Sequence, residues 1–140
     1  MMYLTRRYAF SASHRLHSPR FSEADNLRIY GKCSNPGGHG HNYALEVTVA
    51  GEPDPRTGMV VDLGVLDSFV EKEILERFDH TYLNAAPAFN PDRVPTTENL
   101  CLEVFHLLQT GFRQAPVTRV RLEETSLNSF EVRSEQGALP

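Results

Sequence analysis

Tryptophan is absent from the chain, and cysteine occurs only twice, as Cys33 and Cys101. No run approaches the roughly 20 apolar residues that a membrane-spanning helix needs. The first residues, Met-Met-Tyr-Leu-Thr-Arg-Arg-Tyr, contain no apolar signal core of about 7–15 residues. A cytoplasmic location is therefore expected, where two thiols stay reduced and cannot form a disulfide framework. With 140 residues the chain is too short for two cores, so one domain over residues 1–140 is expected. A net charge of −4 excludes bulk binding to nucleic acid, and nothing suggests contact with a membrane. The charge is nevertheless uneven. Residues 1–33 hold six cations against two acids, a balance of +4, which leaves −8 for the remainder. A local basic surface on an acidic protein suits a small anionic substrate, although a solvated face would look the same.

What is present organises readily. Residues 3–14 alternate, with Tyr8, Phe10, Ala12 and His14 on one face, and predict a strand. Residues 15–38 show no sustained period and contain Pro19, Gly31, Pro36, Gly37 and Gly38, which predicts a long loop. Alternation returns from His39 to Ala50. Leu63, Leu66, Val70, Ile74 and Phe78 follow helical spacing behind Asp62 as N-cap. A second helix begins after Pro95, capped by Thr96 or Thr97, and closes at Gly111. Residues 117–125 and 130–133 read as a hairpin. The order β-β-α-α-β-β predicts an α+β fold: a four-stranded antiparallel sheet with two helices on one face. Its other face would carry Arg7, Glu46, Thr48, Arg119, Arg121 and Glu123.

Three histidines carry the chemistry. His39 and His41 are two apart, so in a strand their rings lie on one side, about 6.5–7 Å apart at the backbone. His14 ends the first strand on its apolar face. If the two strands pair, three imidazoles meet at one ion, and three neutral nitrogens with one vacant place is the pattern of a catalytic zinc. Each histidine alone is as well explained as a surface or hydrogen-bonded residue; the set is not.

Other groups could handle protons. Cys33, six positions before His39 in a glycine-rich segment, could serve as a thiolate base. Cys101, beside Leu100 on a helix, reads as a small buried hydrophobe. Asp79-His80 could form a proton shuttle, or His80 could simply cap a helix C-terminus. Glu124 could accept two hydrogen bonds from a flat donor edge, or be an ordinary solvated carboxylate. Glu98 reads first as a partner of the helix dipole.

Phe10-Ser11-Ala12-Ser13-His14-Arg15-Leu16, Tyr30-Gly31-Lys32-Cys33-Ser34-Asn35-Pro36, Gly38-His39-Gly40-His41-Asn42-Tyr43, Gly58-Met59-Val60-Val61-Asp62-Leu63, Asp79-His80, Pro95-Thr96-Thr97-Glu98-Asn99 and Glu124-Thr125 occur in one order. Together they resemble the 6-pyruvoyl-tetrahydropterin synthase family, across essentially the whole chain. The resemblance implies the tunnelling fold, in which trimers close their sheets into a barrel and stack into a homohexamer. It implies 7,8-dihydroneopterin triphosphate as substrate and one Zn2+ per subunit on His14, His39 and His41, with Mg2+ an optional companion of the triphosphate. It also implies Cys33 as base, Asp79 and His80 as a second relay, and Glu124 as the pterin anchor with Thr96, Thr97 and Glu98 nearby. The family contains a second branch, 6-carboxytetrahydropterin synthase of the queuosine pathway, which releases acetaldehyde from the same substrate. Five residues between Cys33 and His39, and the long stretch from Ser18 to Tyr30, resemble the pyruvoyl-forming branch. Phe78, Ser34 and Gly37 depart from the family's commoner residues. Two readings compete with the lyase: another open-zinc enzyme, such as a hydratase, and a non-catalytic zinc-stabilised interaction module.

Overall fold

The computed structural model describes residues 1–89 and 92–135. Two long strands, β1 (Met2–His14) and β2 (His39–Gly51), pair antiparallel along their full length. β4 (Val117–Thr125) lies on the other side of β2, and β5 (Asn128–Arg133) completes that edge as a hairpin with β4. A fifth strand was not expected from the pattern. β3 (Thr81–Tyr82) runs parallel to β1 through Ala12 and Ser13, giving the order β3-β1-β2-β4-β5. Two residues are too few for alternation to show, so the expected four strands become five.

The segment expected to be a loop also holds structure. α1 (Glu23–Tyr30) begins at Ser22, whose side chain accepts from the Asp25 N–H, and passes into a 3-10 turn over Gly31–Ser34. This helix has no apolar stripe for periodicity to reveal: Asn26 is its one buried residue. The Asn26 amide is a polar clasp, donating to the carbonyls of Ser18, Phe21 and Ser22 and accepting from the Ser18 N–H. Periodicity records apolar burial and passes over a segment held by hydrogen bonds.

α2 (Leu63–Val70) starts at Asp62, which accepts from Gly64 and Val65, and continues through a π turn over Glu71–Leu75 into α3 (Glu76–Phe78). The π turn follows from the sequence. Leu66, Val70, Ile74 and Phe78 recur every four residues, and on a regular α-helix such a stripe drifts by about 40° per step. Widening one turn takes up the drift, and all four side chains stay fully buried. α4 (Thr97–Gly111), capped by the Thr96 side chain, buries Leu100, Cys101, Val104 and Leu108 against β4 and β5. These helices cover Leu45, Val47, Val49, Val120 and Leu122 of the sheet. Burial also lifts the Cys101 thiol to about 11, consistent with an inert core residue.

The opposite face carries the expected charges, and they are paired. Glu46 meets Arg7, Arg119 and Arg121, while Arg119 and Arg133 share Glu131.

At the rim, Arg6 donates twice to Asp67 on α2, at 3.0 and 2.9 Å, and the Tyr8 hydroxyl donates to the same carboxylate at 2.7 Å. Arg6 first, then Tyr8, holds the Asp67 carboxyl below its ordinary value of 3.8. A depressed folded-state value stabilises the fold above the unfolded value and loses that contribution as pH falls through the folded one. Asp67→Asn is therefore expected to cost about 0.5–1 kcal/mol in urea unfolding at neutral pH. The difference should shrink as pH drops below 3.8. A difference that persists undiminished in acid would show that charge is not its source.

Candidate metal centre and active site

The pairing register builds the metal centre. His14 lies directly opposite His39, and Ala12 lies opposite His41, so all three rings project from the core face at one end of the sheet. The ring centroids are 4.7, 5.0 and 4.8 Å apart, and each pair of rings meets edge to face. One nitrogen from each ring lies within 4.8 Å of the others, the only such group of possible ligands among the described residues. Gly38 makes the approach possible. It has φ +69°, and a Cβ there would stand 3.0 Å from the His14 carbonyl oxygen.

The donor set fits a metal ion. His14 is buried, and its Nδ1–H donates to the Pro95 carbonyl at 2.8 Å, which leaves a lone pair on Nε2, 3.2 Å from His39 Nε2. Burial holds the His14 ring below the ordinary histidine value, against the opposing pull of Pro95; burial likewise lowers His41. Both shifts favour the neutral ring that a metal ligand must present. His41 Nε2 is buried without any hydrogen-bond partner among the described residues, an orphan that a bound ion would satisfy.

Glu124 stands beside this centre, close enough for His41 and His14 to act on its carboxyl. It occupies a bulge: Glu123 pairs with Ser129 and Thr125 with Asn128, leaving Glu124 out of register at the hairpin end. The Thr97 hydroxyl donates to Oε2, and the Asn128 amide donates to Oε1 at 3.2 Å. Burial is the largest influence and pushes the Glu124 carboxyl upward. The bonds from Thr97 and Asn128, together with the two histidines, outweigh it and hold the group below the usual carboxylate range. An ionised, directionally fixed acceptor results.

Asp79 and His80 follow α3. The Ser11 N–H donates to Asp79 Oδ1 at 2.9 Å, and His80 Nδ1 lies 3.0 Å from the same oxygen. The Ser11 bond first, then His80, holds the Asp79 carboxyl below its ordinary range. His80 has φ 57°, the one non-glycine residue with positive φ among those described, and its N–H donates to the Ser11 carbonyl at 2.6 Å. Such strain persists only where surrounding bonds impose it, and it gathers at functional sites. The exposed His80 ring shares with His41 a groove of about 390 Å³.

Cys33 lies half-buried in the 3-10 turn. Its carbonyl accepts from the Leu16 N–H at 2.7 Å, and Ser34 accepts from Arg15, so the turn is tied to the residues just after His14. The other predicted residues separate. Thr97 joins Glu124; Thr96 caps α4 through the Asn99 N–H. Glu98 is exposed and lines a different groove with Leu102 and Phe130. Pro95 and Asn128 were not anticipated. One acts through a backbone carbonyl, and the other depends on a bulge that residue type does not announce.

A model of the 6-pyruvoyl tetrahydropterin synthase family matches residues 3–135, and the chain belongs to that family. It is 43% identical over 132 residues to the 6-pyruvoyl tetrahydrobiopterin synthase of Pongo abelii, covering 94% of this chain and 91% of that one. The solved structure of Caenorhabditis elegans 6-pyruvoyl tetrahydropterin synthase superposes with a TM-score of 0.89 at 37% identity, over 96% of both chains. An Archaeoglobus fulgidus protein provisionally named 6-carboxy-5,6,7,8-tetrahydropterin synthase is 36% identical over 117 residues, 83% of this chain and 91% of that one. The α+β sheet-and-helix architecture is thus that of the family, amended by the short parallel strand β3 and by α1. No helix among the described residues is long and apolar enough to cross a membrane.

Proposed function

We propose that this chain is a zinc-dependent lyase that converts 7,8-dihydroneopterin triphosphate to 6-pyruvoyl-tetrahydropterin with loss of triphosphate. The observation that carries this is the convergence of His14, His39 and His41 beside a carboxylate held ready for a flat ligand edge. Three imidazoles favour zinc over calcium or magnesium, which prefer oxygen ligands. Held there, zinc would supply Lewis acidity that makes a carbon-bound hydrogen beside a substrate hydroxyl easier to remove.

The chain's own groups supply the rest. Glu124 accepts two N–H bonds from the pterin ring and fixes its register, supported by Thr97; Thr96 serves by capping α4 and so placing Thr97, while Glu98 faces a different groove. Cys33, as thiolate, takes the proton from the side-chain carbon. That proton and the proton of the adjacent hydroxyl both reach the ring C=N bond, so the side-chain carbinol becomes a ketone as the ring is reduced and no external acceptor is needed. Removal of the proton on the next side-chain carbon then expels triphosphate from its neighbour and leaves an enol. Asp79 fixes the His80 ring, and His80 carries protons while the enol becomes a ketone. Mg2+ would accompany the triphosphate rather than the imidazoles. The paired charges on the outer sheet face and the exposed His80 groove fit a homohexamer in which barrel walls and sites are completed between subunits, with the enzyme in the cytoplasm.

The competing branch, 6-carboxy-5,6,7,8-tetrahydropterin formation, would use the same residues and release acetaldehyde. The spacing from Cys33 to His39 and the α1 insertion favour the pyruvoyl product. Anaerobic incubation with 7,8-dihydroneopterin triphosphate, followed by product identification, decides between them. A retained three-carbon side chain is expected; acetaldehyde would overturn the assignment, and an unchanged substrate would reject the lyase altogether.

A further inference from the structure

Tyr43 is one of the two buried side-chain groups without a hydrogen-bond partner among the described residues; the other is His41 Nε2. Its ring is 1% exposed, stacked on Phe10 at 5.0 Å between centroids and set edge-on against His41 at 5.7 Å. Phenylalanine would fill that space equally well and would bury no unsatisfied hydroxyl, so the oxygen needs a reason beyond packing.

The neighbours give one. Ala44 pairs with Glu123 across β2 and β4, which sets Tyr43 beside Glu124, the carboxylate that the Thr97 hydroxyl holds. Thr97 is 2% exposed and spends its own proton on Glu124 Oε2, which leaves lone pairs on Thr97 Oγ1 as the place for a tyrosine proton. We infer that Tyr43 is a positioning residue for ligand recognition: when the pterin edge engages Glu124, the Tyr43 hydroxyl closes onto Thr97 and fixes the donor that orients the carboxylate. A hydroxyl that receives a hydrogen bond is a stronger donor, so the chain Tyr43 to Thr97 to Glu124 tightens as a unit. The inference rests on Glu124 as the pterin anchor.

The test uses the zinc-loaded full chain, with neopterin binding followed by its fluorescence and steady-state kinetics on the triphosphate. Tyr43→Phe is expected to weaken neopterin binding and raise KM by about fivefold. It should leave kcat within about twofold and zinc stoichiometry intact, a split that general loss of packing would not produce. Thr97→Val should weaken binding in the same direction, and adding Tyr43→Phe to it should cost nothing further, because both act through one chain. Unchanged neopterin affinity in Tyr43→Phe, or additive losses in the double variant, overturns the inference. So does loss of zinc or of cooperative melting in Tyr43→Phe, which would assign the tyrosine to the core. Glu124→Gln separates the two layers. If it binds neopterin normally, the anchor assignment fails and takes this inference with it. If it binds weakly while Tyr43→Phe binds normally, only the role of Tyr43 falls.

Discussion

Replacing Cys33 by alanine is expected to lower kcat by about 10²–10⁴-fold, the range that a positioned proton acceptor supplies. Zinc content and melting temperature should hardly move, because Cys33 contributes no nitrogen to the metal centre and its backbone bond to Leu16 survives the change. KM should stay close to that of the parent, since the carboxylate that would grip the ring stands on β4, far along the chain from this turn. The measurement is a single-turnover assay with the metal quantified in the same samples. An alanine variant that turns over at the parental rate would remove Cys33 from the reaction and pass the role to the Asp79–His80 pair.

Chelation should give a still larger loss with little structural consequence. Activity is expected to fall by about 10³-fold or more. Far-ultraviolet circular dichroism should stay unchanged, and the melting temperature should decline only by the few degrees that loss of a native-state ligand brings. The fold does not hang on the ion: Leu45, Val47, Val49, Leu66, Val70, Leu100 and Leu108 are fully buried between sheet and helices without it. Unfolding on chelation would instead describe a structural metal, and with it the non-catalytic module. Zinc readdition should restore turnover; failure to do so while the protein stays folded would also count against the assignment.

The two predictions depend on parts of the molecule that were unequally legible beforehand. Strand alternation placed His14, His39 and His41 on one face, because period-two patterning carries side-chain direction directly, and the observed register agrees. Helix limits near Asp62, Thr96 and Gly111 were visible for a similar reason: caps and stripes are local. Long-range or backbone features were not. The Pro95 carbonyl that sets the His14 tautomer belongs to a residue 81 positions away, and any residue could have offered it. Glu124 could be singled out by resemblance, but the bulge that turns it from the ladder arises from a mismatch between β4 and β5 that neither strand shows alone. α1 was hidden because polar bonds to Asn26 hold it in place.

The widened turn over Glu71–Leu75 acts as a spacer as well as a packing device. Returning those residues to regular α-helical geometry without shortening the chain would swing everything downstream by about 100°. Asp79 and His80 would then lose Ser11, their only docking point on β1 among the described hydrogen bonds. The widened turn and the residue count between Leu66 and Asp79 are accordingly matched: aliphatic side chains here can be exchanged for others of like size, but a change in either the turn or the count calls for a change in the other if the proposed relay is to keep its hold on Ser11.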